Sequence, residues 1–339
     1  MKILPRDQLN RPLKSLRISV TDRCNLRCRY CMPEQHYNWL QKEHILSFEE
    51  ITRLTRIFQN LGVERLRLTG GEPLLRKNLP QLLERLSDLK LQDIALTTNG
   101  VLLEKYHKEL FQAGLNRVTL SLDALEPALF RHMAQRDDLD RVLQGLKSVA
   151  HSPGLKIDSV ILKGINDSQL SPLLKLGGET GAEVRFIEYM DVGGATQWSP
   201  QSVLSQTEIL EILTKEHGSI ETLDGRGSAP AQRFRLSSGQ TFGIIASTTQ
   251  PFCASCDRTR VTADGQLLTC LYSRFGKDLK KRLRDGTSDE VLQAELTEHW
   301  ERRADRGAEL RTQLHQRGPL ANAKELQENL HLEMHTRGG

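Results

Sequence analysis

Short β-rich runs alternate with helical patterns from about residue 16 to residue 190, and this alternation limits the fold more than any other feature of the chain. The predicted strands are residues 16–20, 65–69, 93–97, 117–121, 155–162 and 183–187. About six βα units in succession are typical of a parallel α/β sheet or barrel.

Helix signals support the same pattern. Ser47 with Glu50 and Ser205 with Glu208 have the spacing of capping boxes. Ser171, followed by a proline, is predicted to be the N-cap of a short helix. The predicted helices are residues 48–61, 79–89, 104–113, 138–150, 172–176 and 206–216. After residue 190 the pattern changes to a predicted hairpin (232–236 and 241–247) and a charged, largely helical tail.

Length and composition limit the function. The 339 residues suggest one large domain or two, and the net charge of +4 is too mild to indicate binding to duplex nucleic acid. No apolar run approaches the ~18 residues of a membrane span, and the N-terminus lacks the apolar core of a secretory signal. We therefore expect a soluble, cytoplasmic protein without membrane partners, in which clustered cysteines act as metal ligands or catalytic groups.

All six cysteines fall into two groups of three. The groups are Cys24, Cys28 and Cys31, spaced C-x3-C-x2-C, and Cys253, Cys256 and Cys270, spaced C-x2-C-x13-C. Three thiolates are an odd number for disulfides and one short of the four ligands of structural zinc. A cubane iron–sulfur cluster with one iron free of protein fits such a group. A zinc site completed by a histidine remains an alternative for each group.

Unusual residues collect where the predicted strands end. Glycines 70 and 71 with Glu72 follow the second strand, residues 97–100 follow the third, and residues 121–123 end the fourth. The first cysteine group follows the first strand. Because α/β barrels carry their active sites at the carboxyl ends of the strands, these segments are predicted to share one site. Glu72 would position an ammonium group or serve as a structural hydrogen-bonding residue.

Two arginines, Arg258 and Arg260, follow Cys256 almost directly. Guanidinium groups can hold phosphate oxygens by paired hydrogen bonds, so this pair indicates a phosphate site beside the second cysteine group. A solvated strand edge is the alternative for any Arg-x-Arg.

The order of these motifs resembles one family closely. The segments that carry the resemblance are LRISVTDRCNLRCRYCMP, LTGGEPLLR, TTNG, SLDA, KGIND, RFIEYMDVG and FCASCDRTR. The first motif is similar to that of the radical S-adenosylmethionine superfamily. The whole set, from about Arg11 to Ser273, resembles the GTP 3′,8-cyclase family, which begins molybdenum cofactor biosynthesis. The resemblance implies an incomplete (β/α)6 TIM-like barrel (residues 1–190) and a C-terminal α+β element (residues 191–339) that carries a second iron–sulfur cluster.

The resemblance also implies roles around the first cluster. Cys24, Cys28 and Cys31 would hold a 4Fe–4S cluster whose open iron binds S-adenosylmethionine. An electron from it would yield methionine and a 5′-deoxyadenosyl radical, which takes hydrogen from ribose C3′ before C3′ joins C8 of guanine. Residues matching S-adenosylmethionine contacts are Tyr30, Gly71, Ser121, Met190 and Arg185.

For the substrate, the resemblance implies a second 4Fe–4S cluster on Cys253, Cys256 and Cys270, whose open iron meets guanine. Residues matching GTP contacts are Arg17, Arg67, Thr97, Lys156, Arg258, Thr259 and Arg260. Arg258 and Arg260 are also predicted to be catalytic. Five of these residues are cations, which suits a triphosphate independently of the resemblance.

The family further implies a flavodoxin or ferredoxin as electron donor, cyclic pyranopterin monophosphate synthase as the next enzyme, and a monomer or homodimer. Its members end in a Gly-Gly tail that enters the active site, and this chain ends in Gly338 and Gly339. Arg337 stands where an apolar residue is more usual, and Asp158 where asparagine is frequent; Arg337 offers a further phosphate contact.

Three other functions stay open on the residues alone. They are another radical enzyme with an auxiliary cluster, such as a peptide-modifying one, a non-catalytic iron–sulfur sensor, and a zinc-bound structural protein. The first gives no reason for the arginines that suit a triphosphate, and metal analysis distinguishes the third.

Overall fold

Parallel strands separated by helices form the centre of the fold in the computed structural model, which describes residues 4–34 and 36–338. The six strands of the predicted βα units are β1 (Ser15–Ser19), β2 (Arg65–Thr69), β3 (Asp93–Thr98), β4 (Arg117–Ser121), β5 (Lys156–Ile161) and β6 (Glu183–Glu188). The helices between and after them are α1 (Phe48–Asn60), α2 (Leu79–Ser87), α3 (Leu103–Gln112), α4 (Pro127–Ala134), α5 (Leu139–Ser148) and α6 (Leu170–Thr180). All six predicted strands are confirmed to within one residue at each end.

The C-terminal part of the chain extends this sheet at both edges. Its elements are α7 (Gln206–His217), β7 (Ile220–Leu223), β8 (Gln232–Leu236), β9 (Thr241–Ile245), β10 (Arg258–Val261), β11 (Gln266–Leu268), β12 (Lys277–Asp278), α8 (Leu279–Arg284), α9 (Asp289–Glu301), α10 (Gly307–Thr312), α11 (Ala323–Glu328) and α12 (Met334–Arg337). The strand order is β12-β11-β10-β1-β2-β3-β4-β5-β6-β9-β8-β7. β10 pairs in parallel with β1 and β9 in parallel with β6, so the parallel sheet is wider than the six predicted strands.

Local signals account for several helix boundaries. Both predicted capping boxes are formed: the Ser47 side chain accepts from the backbone N–H of Glu50, and Ser205 is paired with Glu208 in the same way. The prediction for Ser171 is wrong, because α6 begins earlier, at Leu170, and the Ser171 hydroxyl instead contacts the imidazole of His217 at 2.8 Å. Helix α4 was not predicted.

Apolar side chains fill the space between the sheet and its helices. Helix α1 buries four of them against the sheet: Ile51, Leu54, Ile57 and Phe58. The loops at the carboxyl ends of β1 to β4 carry the cysteine motif and the three polar motifs, so the fold brings these segments to one edge. Within residues 4–34 and 36–338, no helix is long and apolar enough to span a bilayer.

Candidate active site

A cavity of about 660 Å³ is lined by residues of both cysteine groups and by most of the predicted cations. All the predicted site residues except one line it: Arg17, Cys24, Cys28, Tyr30, Cys31, Arg67, Gly71, Thr97, Ser121, Lys156, Arg185, Met190, Cys253, Cys256, Arg258, Arg260 and Cys270. The structure therefore brings residues from the two halves of the chain to one cavity.

Thr259 is the exception. Its side chain is buried on the opposite face of β10 from Arg258 and Arg260, and its hydroxyl donates to the carbonyl of Leu268 at 3.1 Å. Successive residues of a strand point to opposite faces, so Thr259 cannot share the cavity face with both neighbouring arginines. The structure gives Thr259 a role in joining β10 to β11, and contact with a nucleotide stays a prediction.

The first cysteine group lies in a loop that is held in place by contacts with neighbouring segments. The backbone N–H of Arg27 donates to Ala134 at the end of α4, and the amide of Asn99 lies 3.8 Å from Cys24 Sγ. Burial raises the pKa of the Cys24 thiol to about 11, and burial raises the pKa of both Cys28 and Cys31 well above the usual range. Three half-buried thiols in one loop fit an iron–sulfur cluster, because bound iron stabilises the thiolates that the loss of solvent alone disfavours.

Glycine at two positions lets other segments approach this loop. A Cβ at Gly71 would lie 2.3 Å from the carbonyl oxygen of Arg23, and a Cβ at Gly194 would lie 2.1 Å from that of Cys31. The backbone N–H of Gly71 donates to the carbonyl of Thr21 at 2.9 Å. Glycine is thus required here for contact between protein segments, since any side chain would displace the cysteine loop.

Glu72 is a structural residue. Its carboxylate accepts hydrogen bonds from the N–H of Leu74 at 3.0 Å, the hydroxyl of Thr98 at 2.8 Å and the N–H of Asn99 at 2.8 Å. The side chain is buried and does not line the cavity. Of its two possible roles, the structure therefore favours hydrogen bonding between the ends of β2 and β3.

Tyr30 is positioned by the end of β4. Its hydroxyl donates to Asp123 Oδ2 at 2.8 Å, while the other oxygen of Asp123 accepts from the N–H of Val160 at 2.9 Å. This pair of bonds explains why an aspartate follows β4, and it fixes the aromatic ring beside Cys28 and Cys31.

Three arginines form a row across adjacent parallel strands. Arg17 of β1 is in register with Arg67 of β2 on one side and with Arg260 of β10 on the other. Burial and the neighbouring cations Arg260 and Arg67 hold the pKa of Arg17 well below its usual range. Burial lowers the pKa of Arg67 to about 9 and that of Arg260 to about 10. Like charges side by side on a sheet are destabilising, so this row favours a bound polyanion.

Two other cavity cations are paired with acidic residues. Arg185 makes a bidentate ion pair with Asp158 on the neighbouring strand, at 2.6 and 2.7 Å, and Lys156 lies 3.6 Å from Glu183. Burial, followed by the charge of Arg185, lowers the pKa of Lys156 to about 8. Asp158, which replaces the asparagine that is frequent in the family, therefore directs Arg185 toward the sheet.

The second cysteine group also receives donors from its surroundings. The backbone N–H of Tyr272 lies 3.5 Å from Cys270 Sγ, and a guanidinium nitrogen of Arg303 lies 3.4 Å from Cys256 Sγ. Although burial opposes it, the charges of Arg258 and Arg303 lower the pKa of Cys256 to about 7. In the described ranges, no three His, Cys, Asp or Glu side chains gather closely enough to hold a single metal ion. A cubane binds each cysteine through a separate iron, so its ligands need not meet at one point.

The C-terminal tail reaches the arginine row. The carbonyl of Gly338 accepts from Arg17 at 3.3 Å and from Arg260 at 3.2 Å, and Ser19 donates to the carbonyl of Thr336 at 3.1 Å. The side chain of Arg337 is buried, donates to the backbone carbonyls of His331 and Leu271, and does not line the cavity, so the structure gives no support to a phosphate contact by Arg337. Gly339, the second glycine of the tail, lies outside the described residues.

His335 anchors this tail between aromatic side chains. Its ring lies 5.3 Å from that of Tyr37 and 5.9 Å from that of Trp39, and the guanidinium of Arg27 faces both aromatic rings. Burial, followed by the charge of Arg27, lowers the pKa of His335 to about 4 from 6.5. Since the undocked tail binds a proton more readily at His335, this histidine weakens docking as pH falls from about 6.5 toward 4. Burial raises the pKa of Glu333 to about 7, so this carboxyl acts in the opposite direction and favours docking as pH falls below about 7.

We therefore expect the two groups to offset each other in the unmodified protein, with little change in the protection of the α12 amide protons between pH 7.5 and pH 5, as measured by hydrogen exchange corrected for the intrinsic rates. A His335→Phe variant keeps the aromatic packing but leaves only Glu333 to titrate, so its protection should rise as the pH falls. The same pH dependence in both proteins would contradict this assignment.

Some cavity residues were missed by sequence reasoning. Arg226 lies in the loop between β7 and β8, with its guanidinium 4.5 Å from the ring centre of Phe252, and Arg258 lies 4.8 Å from the same centre. Asn99 was noted only as part of a strand-end motif. The position of Arg226 depends on the hairpin folding back, and no local pattern in the sequence indicates that.

Comparison with known proteins agrees with this geometry. A family model described as Radical SAM superfamily matches residues 18–177, and one described as Molybdenum Cofactor Synthesis C matches residues 182–309. The crystal structure of Streptococcus suis SuiB bound to S-adenosylmethionine aligns with a TM-score of 0.57 at 17% identity, covering 84% of this chain and 68% of SuiB. At that identity the likeness shows a shared fold.

Two curated relatives are much more similar in sequence. GTP 3′,8-cyclase 1 of Mycobacterium tuberculosis is 47% identical over 345 residues, which cover 100% of this chain and 96% of the relative. GTP 3′,8-cyclase of Aquifex aeolicus is 44% identical over 314 residues, which cover 91% of this chain and 95% of the relative. The chain belongs to the radical S-adenosylmethionine superfamily and, within it, to the GTP 3′,8-cyclase family.

Proposed function

We propose that this protein converts GTP to (8S)-3′,8-cyclo-7,8-dihydroguanosine 5′-triphosphate, with release of 5′-deoxyadenosine and methionine, as the first step of molybdenum cofactor biosynthesis. Its relationship to curated GTP 3′,8-cyclases extends over the full chain. The observation that carries the proposal is the row of Arg17, Arg67 and Arg260, which lines the cavity that both cysteine groups share. A triphosphate would relieve the repulsion within this row.

At one end of the cavity, Cys24, Cys28 and Cys31 would hold the first 4Fe–4S cluster. When bound, this cluster and S-adenosylmethionine supply the 5′-deoxyadenosyl radical that takes hydrogen from ribose C3′. The protein's part is to hold the groups: Tyr30 is fixed by Asp123, and the backbone of the cysteine loop is fixed by its contact at Gly71. Ser121, Met190 and Arg185 are proposed as further contacts to S-adenosylmethionine.

At the other end, Cys253, Cys256 and Cys270 would hold a second 4Fe–4S cluster facing the guanine. The donors on Cys256 and Cys270 support this assignment, because N–H groups directed at sulfur are a usual feature of cluster sites. Arg258, Lys156 and the arginine row would bind the triphosphate, and Thr97 is proposed as a further GTP contact. The proposal does not depend on Thr259, whose side chain faces away from the cavity.

The division of the chain at residue 190 also belongs to this proposal. Residues 1–190 would bind S-adenosylmethionine, and residues 191–339 would supply the second cluster. The two family-model matches, which end at residue 177 and begin at residue 182, support a boundary near this point. The electron donor, the next pathway enzyme, the oligomeric state and a cytoplasmic location stay as predicted from the sequence.

The proposal is tested with anaerobically purified protein. About eight irons per chain, with matching sulfide, are expected for two cubanes. With dithionite, S-adenosylmethionine and GTP, we expect 5′-deoxyadenosine and the cyclised nucleotide in equal amounts. ATP serves as the control substrate and should give no cyclised product. Zinc in place of iron, or no 5′-deoxyadenosine with GTP, would overturn the proposal.

A further inference from the structure

A buried group of three charged residues lies behind the second cysteine group. Asp7 Oδ2 accepts from Arg11 Nε at 2.6 Å and from Arg303 Nη1 at 3.0 Å. The three side chains are almost fully buried, with at most 2% of each exposed. Burying ionic groups is costly unless each is paired, so a network of this kind requires a compensating role.

The two arginines contact the chain at two of the cysteines and directly before the third. Arg11 Nη1 donates to the carbonyl of Cys253 at 2.7 Å. Arg303 Nη1 donates to the carbonyl of Cys256 at 2.9 Å, and its Nη2 lies 3.4 Å from Cys256 Sγ. Arg303 Nε donates at 3.1 Å to the carbonyl of Thr269, the residue before Cys270.

The network joins parts of the chain that are distant in sequence. Asp7 and Arg11 precede β1, whereas Arg303 follows α9. Trp300 at the end of α9 donates from its indole to the carbonyl of Arg11 at 3.2 Å, and the Arg303 guanidinium stacks on the Trp300 ring. The carboxylate of Asp305 lies 3.5 Å from Arg303 Nε and contributes a further negative charge at the edge of the network. Arg303 is the cation of the network that contacts a cysteine sulfur.

We propose that Asp7, Arg11 and Arg303 are positioning residues for the second cluster, and that Arg303 raises its reduction potential. The inference rests on the proposed function in that the second triad must hold a cluster. Reduction adds negative charge to a cluster and its sulfur ligands, and a guanidinium beside Cys256 Sγ stabilises the reduced form more than the oxidised form. The network also fixes the spacing of the three cysteines through the backbone carbonyls of Cys253, Cys256 and Thr269.

The test compares three variants of the reconstituted holoenzyme with the unmodified protein. Arg303→Gln removes the charge, Arg303→Lys keeps the charge without the planar group, and Arg302→Gln is the matched control, since Arg302 is the neighbouring arginine with a side chain 76% exposed. Each protein is titrated with reductant and followed by electron paramagnetic resonance. The signal that changes when S-adenosylmethionine is added is assigned to the first cluster.

We expect the potential of the second cluster to fall in Arg303→Gln, to fall less in Arg303→Lys, and to be unchanged in Arg302→Gln. The potential of the first cluster should be the same in all four proteins. If Arg303→Gln does not fold, the double variant Asp7→Asn/Arg303→Gln removes one charge of each sign and should show a smaller fall in the same direction, because within the network it is Arg303 that contacts a cysteine sulfur.

Two failures are distinguishable. About four irons in the unmodified protein would show that the second triad holds no cubane, which contradicts the proposed function itself. With about eight irons in the unmodified protein, an unchanged second potential in Arg303→Gln, or in the double variant where that is used, would overturn the role of Arg303 alone. An equal shift in the reduction potentials of both clusters would overturn the role of Arg303 as well.

Discussion

Replacing Cys24 by alanine is expected to abolish the cleavage of S-adenosylmethionine while leaving the second cluster in place. Cys24 lies in the loop after β1, and only two thiols of that loop remain in the variant. Two thiolates cannot hold the cubane, so iron should fall from about eight to about four per chain. The ligands act as a unit, so 5′-deoxyadenosine formation should fall at least about a thousandfold. Iron analysis and chromatography of the nucleoside product measure both effects.

The matched variant for this experiment is Cys270→Ala, which removes one thiol from the other group. We expect it to lose a similar amount of iron but to keep the cleavage of S-adenosylmethionine, with the conversion of GTP lost. Loss of S-adenosylmethionine cleavage in Cys24→Ala but not in Cys270→Ala would assign the radical chemistry to the first cluster and a later step to the second. If Cys24→Ala retained cleavage, or if Cys270→Ala lost it, the assignment of the radical chemistry to the first triad would be wrong.

The parts of this fold that follow local rules could be predicted from the sequence. The strands were found because β-rich runs are separated by helical periodicity, and the capping boxes at Ser47 and Ser205 are fixed by residues three positions apart. Ser171 misled the prediction because a serine before a proline is a common helix start, whereas here the hydroxyl contacts a neighbouring helix. Tertiary contact thus overrode a local signal.

The cavity residues were predicted mainly through the motif resemblance, and the exception has a simple physical cause. Arg258, Thr259 and Arg260 are consecutive residues of a strand, so alternation places the middle one on the other face. The alternation of side chains along this strand is therefore sufficient to place Thr259 outside the cavity. By contrast, the pairing of β10 with β1 joins residues more than two hundred positions apart, and no local pattern specifies it.

The arginine row favours the binding of a phosphate group at the expense of the stability of the empty protein. Its members are like charges on neighbouring strands, with Arg260 buried and the other two half-buried, and this arrangement destabilises the empty protein. Part of this repulsion is offset by the tail, whose Gly338 carbonyl accepts from Arg17 and Arg260. The tail oxygens and a substrate phosphate are both acceptors for the same guanidinium groups, so nucleotide binding and tail position are expected to be coupled.

Replacing Arg258 and Arg260 by alanine together is expected to raise the KM for GTP by on the order of a hundredfold or more. Hydrogen bonds to charged groups contribute about 1.5–3 kcal/mol each, and the double variant loses at least two of them. Slow cleavage of S-adenosylmethionine in the absence of GTP should not change, because neither arginine contacts the first cysteine loop in the described structure. Steady-state kinetics with GTP, and 5′-deoxyadenosine formation without it, measure the two quantities.

The single variants separate substrate binding from docking of the tail. Arg260 donates to the carbonyls of Arg337 and Gly338, whereas Arg258 stacks on Phe252. Arg258→Ala should therefore raise KM without altering hydrogen exchange of the tail, and Arg260→Ala should affect both. Arg235→Ala is the control, since Arg235 is a strand arginine that pairs with Glu221 away from the cavity. An unchanged KM in the double variant would indicate that these arginines do not bind phosphate, and would favour a substrate other than a nucleotide.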